Sequence, residues 1–163
     1  MYYTVFNAPI GDLYIVEHEG NITHVFLDDD HFSQQLSQAE MIAEETPLLI
    51  EAKKQLKEYF AGQRKTFSLP LKQSGTIFQE QVWEALASIP YGQSRSYVDI
   101  ARAIGNPKAV RAIGQANRRN ALPVFIPCHR VIGKDRSLTG YAGTRTDTKA
   151  ILLDLEGIPF VKK

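Results

Sequence analysis

Cys128, His129 and Arg130 follow one another in IPCHRV, and Cys128 is the single cysteine of a 163-residue chain. A thiol beside an imidazole and a guanidinium is an arrangement that makes a nucleophile. The thiolate is the reactive form, its reference pKa is about 8.5, and neighbouring cations stabilise it. A third group must orient the histidine, and Glu156 in LLDLEGIP, at an expected helix end, is the candidate. A lone cysteine is commonly a small apolar core residue. Here the flanks point the other way: Pro123 and Pro127 hold the chain extended, and the VFI between them reads as a buried strand-like run. One cysteine excludes an internal disulfide and a multi-thiolate zinc site, and His18, His24 and His31 fall at spacings that fit no ligand set. The expectation is a metal-free chain without a cofactor.

The charges around this site are uneven. Residues 1 to 60 hold three Lys or Arg against eleven Asp or Glu, whereas residues 95 to 136 hold nine basic side chains against Asp99 and Asp135. A surplus of one sign around the only cysteine points to a polyanionic partner, and nucleic acid is the natural one. No N-terminal run reads as a signal peptide and no stretch approaches the roughly 20 apolar residues that span a bilayer. We therefore expect a soluble, cytoplasmic protein without a membrane partner.

The elements that must position these groups divide the chain near residue 75. YYTVFNAPIGDLYIVEHEGNITHVFLDD shows short β-rich runs broken at Pro9-Ile10-Gly11 and Glu19-Gly20-Asn21, which reads as antiparallel strands joined by tight turns. TPLLIEAKKQLKEYFAGQ follows as a helix, with Thr46 as N-cap, Pro47 at its first position, Gly62 past its end, and Leu49, Ala52, Leu56 and Phe60 on the packed face. KTFSLPLKQSG reads as one more strand and then a linker. Residues 1–74 are thus expected to form an α/β domain and residues 75–163 a second, mainly helical one.

In the second part, TIFQEQVWEALASIP reads as a helix capped by Thr76, with Phe78, Val82, Trp83, Leu86 and Ile89 on one stripe. SYVDIARAIG is a helix capped by Ser96 and closed by Gly105, and NPKAVRAIGQANRR is one with Asn106 as N-cap and Pro107 at its first position. Two short helices joined by a tight Gly-Asn turn, the second carrying Lys108, Arg111, Arg118 and Arg119, have the outline of a helix-turn-helix.

GTIFQEQVWEALASIPYGQSRSYVDIARAIGNPKAVRAIGQANRRN, then IPCHRVIG, LTGYAG and LLDLEG stand in this order between Gly75 and Gly157. Together they resemble the catalytic domain of the O6-alkylguanine-DNA alkyltransferases, the single-use methylated-DNA–protein-cysteine methyltransferases, here of the stand-alone prokaryotic type. The likeness covers about half of the chain. The N-terminal half matches only in outline, resembling the family's ribonuclease H-like α/β domain of antiparallel strands plus helix, and the C-terminal half implies a winged-helix-like domain.

The resemblance implies roles for named residues. Cys128 is the alkyl acceptor, with Glu156, His129 and an ordered water drawing off its proton. Asn120 is the hinge after the recognition helix, and Arg111 is the finger that fills the gap left by an extruded nucleotide. Tyr97 assists nucleotide rotation and donates to N3 of guanine. Backbone groups at Cys128 and Val131, with the loop around Tyr141 and Ala142, form the base pocket. Lys108, Ala109, Arg118 and Arg130 join Arg111 and Tyr97 on the DNA side. The implied partner is double-stranded DNA bearing alkylated bases, held through its minor groove, with the protein acting as a monomer and needing no obligate protein partner.

Ala121 stands where many members of the family have proline, and Thr144 where a second glycine is common. Two other readings compete: a damage-binding module like the alkyltransferase-like proteins, which typically replace the acceptor cysteine, and a Cys-His-Glu hydrolase, which has no need of a basic helix-turn-helix.

Overall fold

Two tight reversals set up the N-terminal sheet. A computed structural model describes residues 1–27, 29–38, 40–138 and 146–161, and for 29, 30, 37, 38 and 146 the backbone alone. Contacts divide the chain into two compact units, Met1–Gln73 and Ser74–Lys163. In the first, β1 (Tyr2–Ala8), β2 (Gly11–His18) and β3 (Asn21–Phe26) form an antiparallel meander. The second reversal puts Glu19 at φ 50° and Gly20 at φ 81°, the two left-handed residues with which a short turn matches the twist of its strands. A two-residue β4 (Ile42–Ala43) lies parallel to β1, giving the order β3-β2-β1-β4.

Alternation along the strands sends side chains to both faces of this sheet. On one face Phe6, the cross-strand partner of Leu13, stacks on Phe60 of α2 (Pro47–Phe60) with ring centroids 6.2 Å apart. On the other, Tyr14 stacks on Phe32 of α1 (Asp29–Gln38) at 4.4 Å. The helix α2 starts as expected, with the Thr46 hydroxyl accepting from the Leu49 N–H at 3.1 Å. Its buried face carries Tyr59 and Gln55 besides Leu49, Ala52 and Leu56, while Phe60 stays half-exposed. Both α1 and β4 lie outside the elements expected from the sequence. The strand expected in KTFSLPLKQSG shrinks to one bridge, Leu71 against Ile22. Pro70 has no N–H for a ladder and contributes its carbonyl alone, which accepts from Ile22 at 2.8 Å.

The second unit is helical. Its first helix, α3 (Ile77–Ala87), opens with a reciprocal cap: the Thr76 hydroxyl accepts from the Gln79 N–H and the Gln79 side chain accepts from the Thr76 N–H. The second, α4 (Tyr97–Ala103), is capped the same way by Ser96 and Asp99. The Ser96 N–H holds the Asp99 carboxyl below its ordinary pKa. Helix α5 (Val110–Arg118) begins later than expected. Asn106 does not cap it; its carbonyl accepts from Ala109 at 3.1 Å, closing a turn that contains Pro107 and Lys108. Trp83 Nε1 donates to the Ala116 carbonyl at 2.9 Å, tying α3 to α5.

Beyond α5 the expected VFI strand is absent. The segment is a turn, with Ile126 N–H donating to the Leu122 carbonyl at 2.8 Å and buried Val124 at φ 74°. A short 3-10 turn at Cys128–Arg130 leads into β6 (Val131–Ile132), which pairs in parallel with β5 (Arg95–Ser96). The last helix, α6 (Thr146–Glu156), buries Leu152 and Leu153. No helix among the described residues is long and apolar enough to cross a membrane.

Candidate active site

Two short devices deliver the cysteine. Asn120 latches both ends of the turn before it: its Oδ1 accepts from the Leu122 N–H at 3.1 Å and its Nδ2 donates to the Ile126 carbonyl at 2.9 Å. Pro127, at φ −79° and ψ 64°, then forms an inverse γ-turn in which Cys128 N–H donates back to Ile126 at 2.7 Å. The pairing of Arg95 with Val131 and of Ser96 with Ile132 sets the start of α4, and with it Tyr97, beside the segment that follows Cys128. Cys128 is 1% exposed.

Glu156 is the hub. Its Oε2 lies 2.7 Å from His129 Nε2, with both side chains fully buried. Arg130 donates to both of its oxygens, through Nε at 2.7 Å and Nη2 at 3.1 Å. Burial lowers the His129 pKa and outweighs the opposing hydrogen bond and charge of Glu156, so the imidazole is neutral. Facing a carboxylate, Nε2 must carry the proton, which makes Nδ1 the basic nitrogen. The triad proposed from the sequence therefore has its base and orienting group in contact.

Arg130 has a different place from the DNA-facing one implied by the resemblance. It is 7% exposed, and besides Glu156 it donates to the Ile89 carbonyl at 2.6 Å. The Tyr91 ring lies 5.7 Å from its guanidinium carbon. A guanidinium spent in this way sustains the ionised form of Glu156.

One site residue escaped the sequence reading. Lys149 on α6 is fully buried and donates to the Val131 carbonyl at 2.5 Å. Burial lowers its pKa to about 8, opposed by the nearby charge of Cys128. The signal for it was positional: Lys149 precedes Leu152, Leu153 and Glu156 by three, four and seven residues, so a cation sits on the apolar stripe of α6.

The cationic surface is built by α5. Arg111, Ala112, Gln115, Arg118 and Arg119 are exposed along one side, while Ile113, Ala116 and Asn117 are buried on the other. Lys108, exposed, and Ala109, half-buried, lie in the turn just before the helix. Tyr97 is half-buried, and a Cβ added at Gly114 would lie 3.8 Å from its ring, so its phenol rests against α5. Val131 is buried, and Tyr141 and Ala142 lie outside the described residues.

Comparison with known proteins gives a consistent picture. Residues 77–158 match the family described as 6-O-methylguanine DNA methyltransferase, DNA binding domain. Residues 1–73 match 6-O-methylguanine DNA methyltransferase, ribonuclease-like domain. The chain is 58% identical over 163 residues to the constitutive methylated-DNA–protein-cysteine methyltransferase of Bacillus subtilis, covering 99% of each chain. It is 44% identical over 158 residues to the methylated-DNA–protein-cysteine methyltransferase of Methanosarcina acetivorans, covering 96% of this chain and 99% of the relative. Among solved structures, that of Mycobacterium tuberculosis OGT in complex with DNA superimposes with a TM-score of 0.85 at 40% identity, covering 96% of this chain and 92% of the other. The order read from the sequence, an α/β part followed by a helical part, is the fold these proteins share.

Proposed function

Because the chain belongs to the 6-O-methylguanine DNA methyltransferase family, we propose that it repairs DNA by moving an alkyl group from O6 of a damaged guanine, and from O4 of alkylated thymine, onto Sγ of its own Cys128. The observation that carries the reading is the buried set of Cys128, His129 and Glu156, followed out to Arg130 and Lys149, in the same unit as the exposed cationic side of α5.

Each group has work to do in an in-line displacement at carbon. Neutral His129 takes the thiol proton through an ordered water, and Glu156, held ionised by Arg130, stabilises the imidazolium that results. Lys149 offers a compact positive charge to the thiolate. The S–C bond forms as the C–O bond breaks, and the electron pair departs on the base. A phenol donated by Tyr97 to N3 of guanine offsets that developing charge. The product is a thioether that nothing in the site hydrolyses, so each molecule acts once.

The target atom lies inside the base stack, so the nucleotide must be turned out, at a cost of a few kcal/mol. Arg111, exposed on α5, fills the gap from the minor-groove side, and Lys108, Arg118 and backbone near Ala109 meet phosphates. In this reading the division near residue 75 separates an N-terminal domain from the domain that holds both the cysteine and the DNA surface. The protein works as a cytoplasmic monomer. The test is intact mass after mixing with an O6-methylguanine oligonucleotide: one methyl group is gained, located at Cys128, and then nothing more. Turnover with substrate in excess would refute the single-use mechanism. Replacing Cys128 by Ala should abolish transfer and leave DNA binding nearly intact.

A further inference from the structure

Asn117 holds the peptide of the acceptor itself. It lies on the inner side of α5, 2% exposed, and its Nδ2 donates to the carbonyl of Cys128 at 3.4 Å. Its Oδ1 is buried without a hydrogen-bond partner among the described residues. A buried acceptor left unpaired opposes folding, and an apolar side chain of similar size would remove that cost. Stability alone therefore does not account for an amide at this position. What the amide supplies is an N–H aimed at the Cys128 carbonyl.

The rest of the turn gives that N–H its meaning. The N–H of Cys128 is already committed to Ile126 at 2.7 Å, and Asn120 grips the same Ile126 carbonyl at 2.9 Å. Asn117 lies in the last turn of α5 and Asn120 two residues past its end, where the Asn120 N–H donates to the Asn117 carbonyl at 3.4 Å. One pins the peptide before Pro127 and the other the peptide after Cys128. With both flanking peptides held, the backbone at Cys128 cannot rotate, and the direction of Sγ rests on its side-chain torsion alone. We propose that Asn117 is a positioning residue for alkyl transfer, fixing the Cys128 peptide from the recognition helix and so aiming Sγ along the line of displacement. The inference rests on the alkyl-transfer reading above, in which misdirection of the attacking atom is costly.

Asn117→Leu removes the N–H together with the unpaired acceptor. The variant is expected to melt at or above the temperature of the unaltered protein and to bind DNA equally well. Its limiting methyl-transfer rate at saturating methylated duplex should fall by about three- to ten-fold, the worth of one hydrogen bond. The loss on free O6-benzylguanine should be the same, with the saturation constants unmoved. A purely structural role does not combine undiminished stability with a slower limiting rate. Should the Leu protein not fold, Asn117→Met, unbranched and close to the amide in size, likewise removes the N–H and should slow transfer to the same extent. Absence of transfer by the unaltered protein would overturn the reading and the inference together. If the unaltered protein transfers and the folded variant matches its rate, or loses rate only in step with a lowered melting temperature, the inference alone falls.

Discussion

Glu156 and Lys149 divide the electrostatic task at the acceptor. Glu156 serves His129 and Arg130 at once, and removing either member of the Glu156–Arg130 pair would strand the other's buried charge, a loss of about 3–5 kcal/mol. Lys149 donates to the Val131 carbonyl and feels the charge of Cys128, and burial brings its pKa from the ordinary 10.5 down to about 8. Between those two values the unfolded chain binds a proton that the folded chain does not. The penalty of burying Lys149 is thus full below pH 8, shrinks as pH climbs, and is gone above 10.5. In Lys149→Met this dependence should vanish: the stability of the unaltered protein relative to the variant rises from pH 8 to pH 10, read from denaturant midpoints at each pH. Parallel profiles for the two proteins would refute the lowered pKa. At this scale the contact between His129 and Glu156 beside the lone cysteine was legible, because proline, cysteine, histidine and a helix-ending glutamate advertise their chemistry. Lys149 and Asn117 were not, since a buried lysine or asparagine in a helix looks like any surface residue until its neighbours in space are known.

Helix α5 shows how much of an element a sequence reveals. Its amphipathic character and exposed cations were readable from spacing, whereas its start was misplaced, because Asn-Pro serves a turn as well as it serves a helix cap. The VFI run misled for a related reason. Valine favours strands, yet Val124 sits at φ 74° because the latch formed by Asn120 requires the chain to reverse there. Helix α1 escaped because Phe32 and Leu36 are its only apolar residues, too few to mark a period, although Phe32 packs it onto rings of the sheet. The function of α5 can be tested through Arg111, which is exposed on it. As a phosphate contact only, Arg111→Ala would weaken binding and lower the salt slope by about one counterion's worth. As the residue that replaces lost stacking, its removal should slow reaction with methylated duplex even at saturating DNA and leave reaction with free O6-benzylguanine nearly normal. Unaltered duplex rates at saturation would reduce it to a phosphate clamp, and equal losses on both substrates would place it in the chemistry or the fold.

For the molecule as a whole, the reaction changes the charge of a buried site permanently. Before transfer Lys149 lies beside the Cys128 sulfur, whose charge raises its pKa, while Glu156 is paired with Arg130 and His129 is neutral. Afterwards the sulfur is an uncharged thioether, and a nearby charge that raises the Lys149 pKa is gone. Without it the burial of the ammonium is offset less, so Lys149 releases its proton more readily or the fold is weakened. The methylated protein is therefore expected to be less stable than the unreacted one at neutral pH. The sign of the pH effect follows from Lys149: with its pKa lowered further, the folded methylated chain sheds the proton earlier, so the deficit is largest well below pH 8, narrows as pH rises toward 8 and is gone above it. Thermal melts of one preparation before and after complete reaction with a methylated oligonucleotide, freed of DNA and compared at pH 7 and pH 9, measure this directly. Lys149→Met, which has no ammonium to strand, should show a smaller loss on methylation and no narrowing with pH. If the unaltered protein melts at one temperature before and after reaction, then the Cys128 thiolate and Lys149 do not act as a charge pair, and the single use of this protein is set by the thioether bond alone.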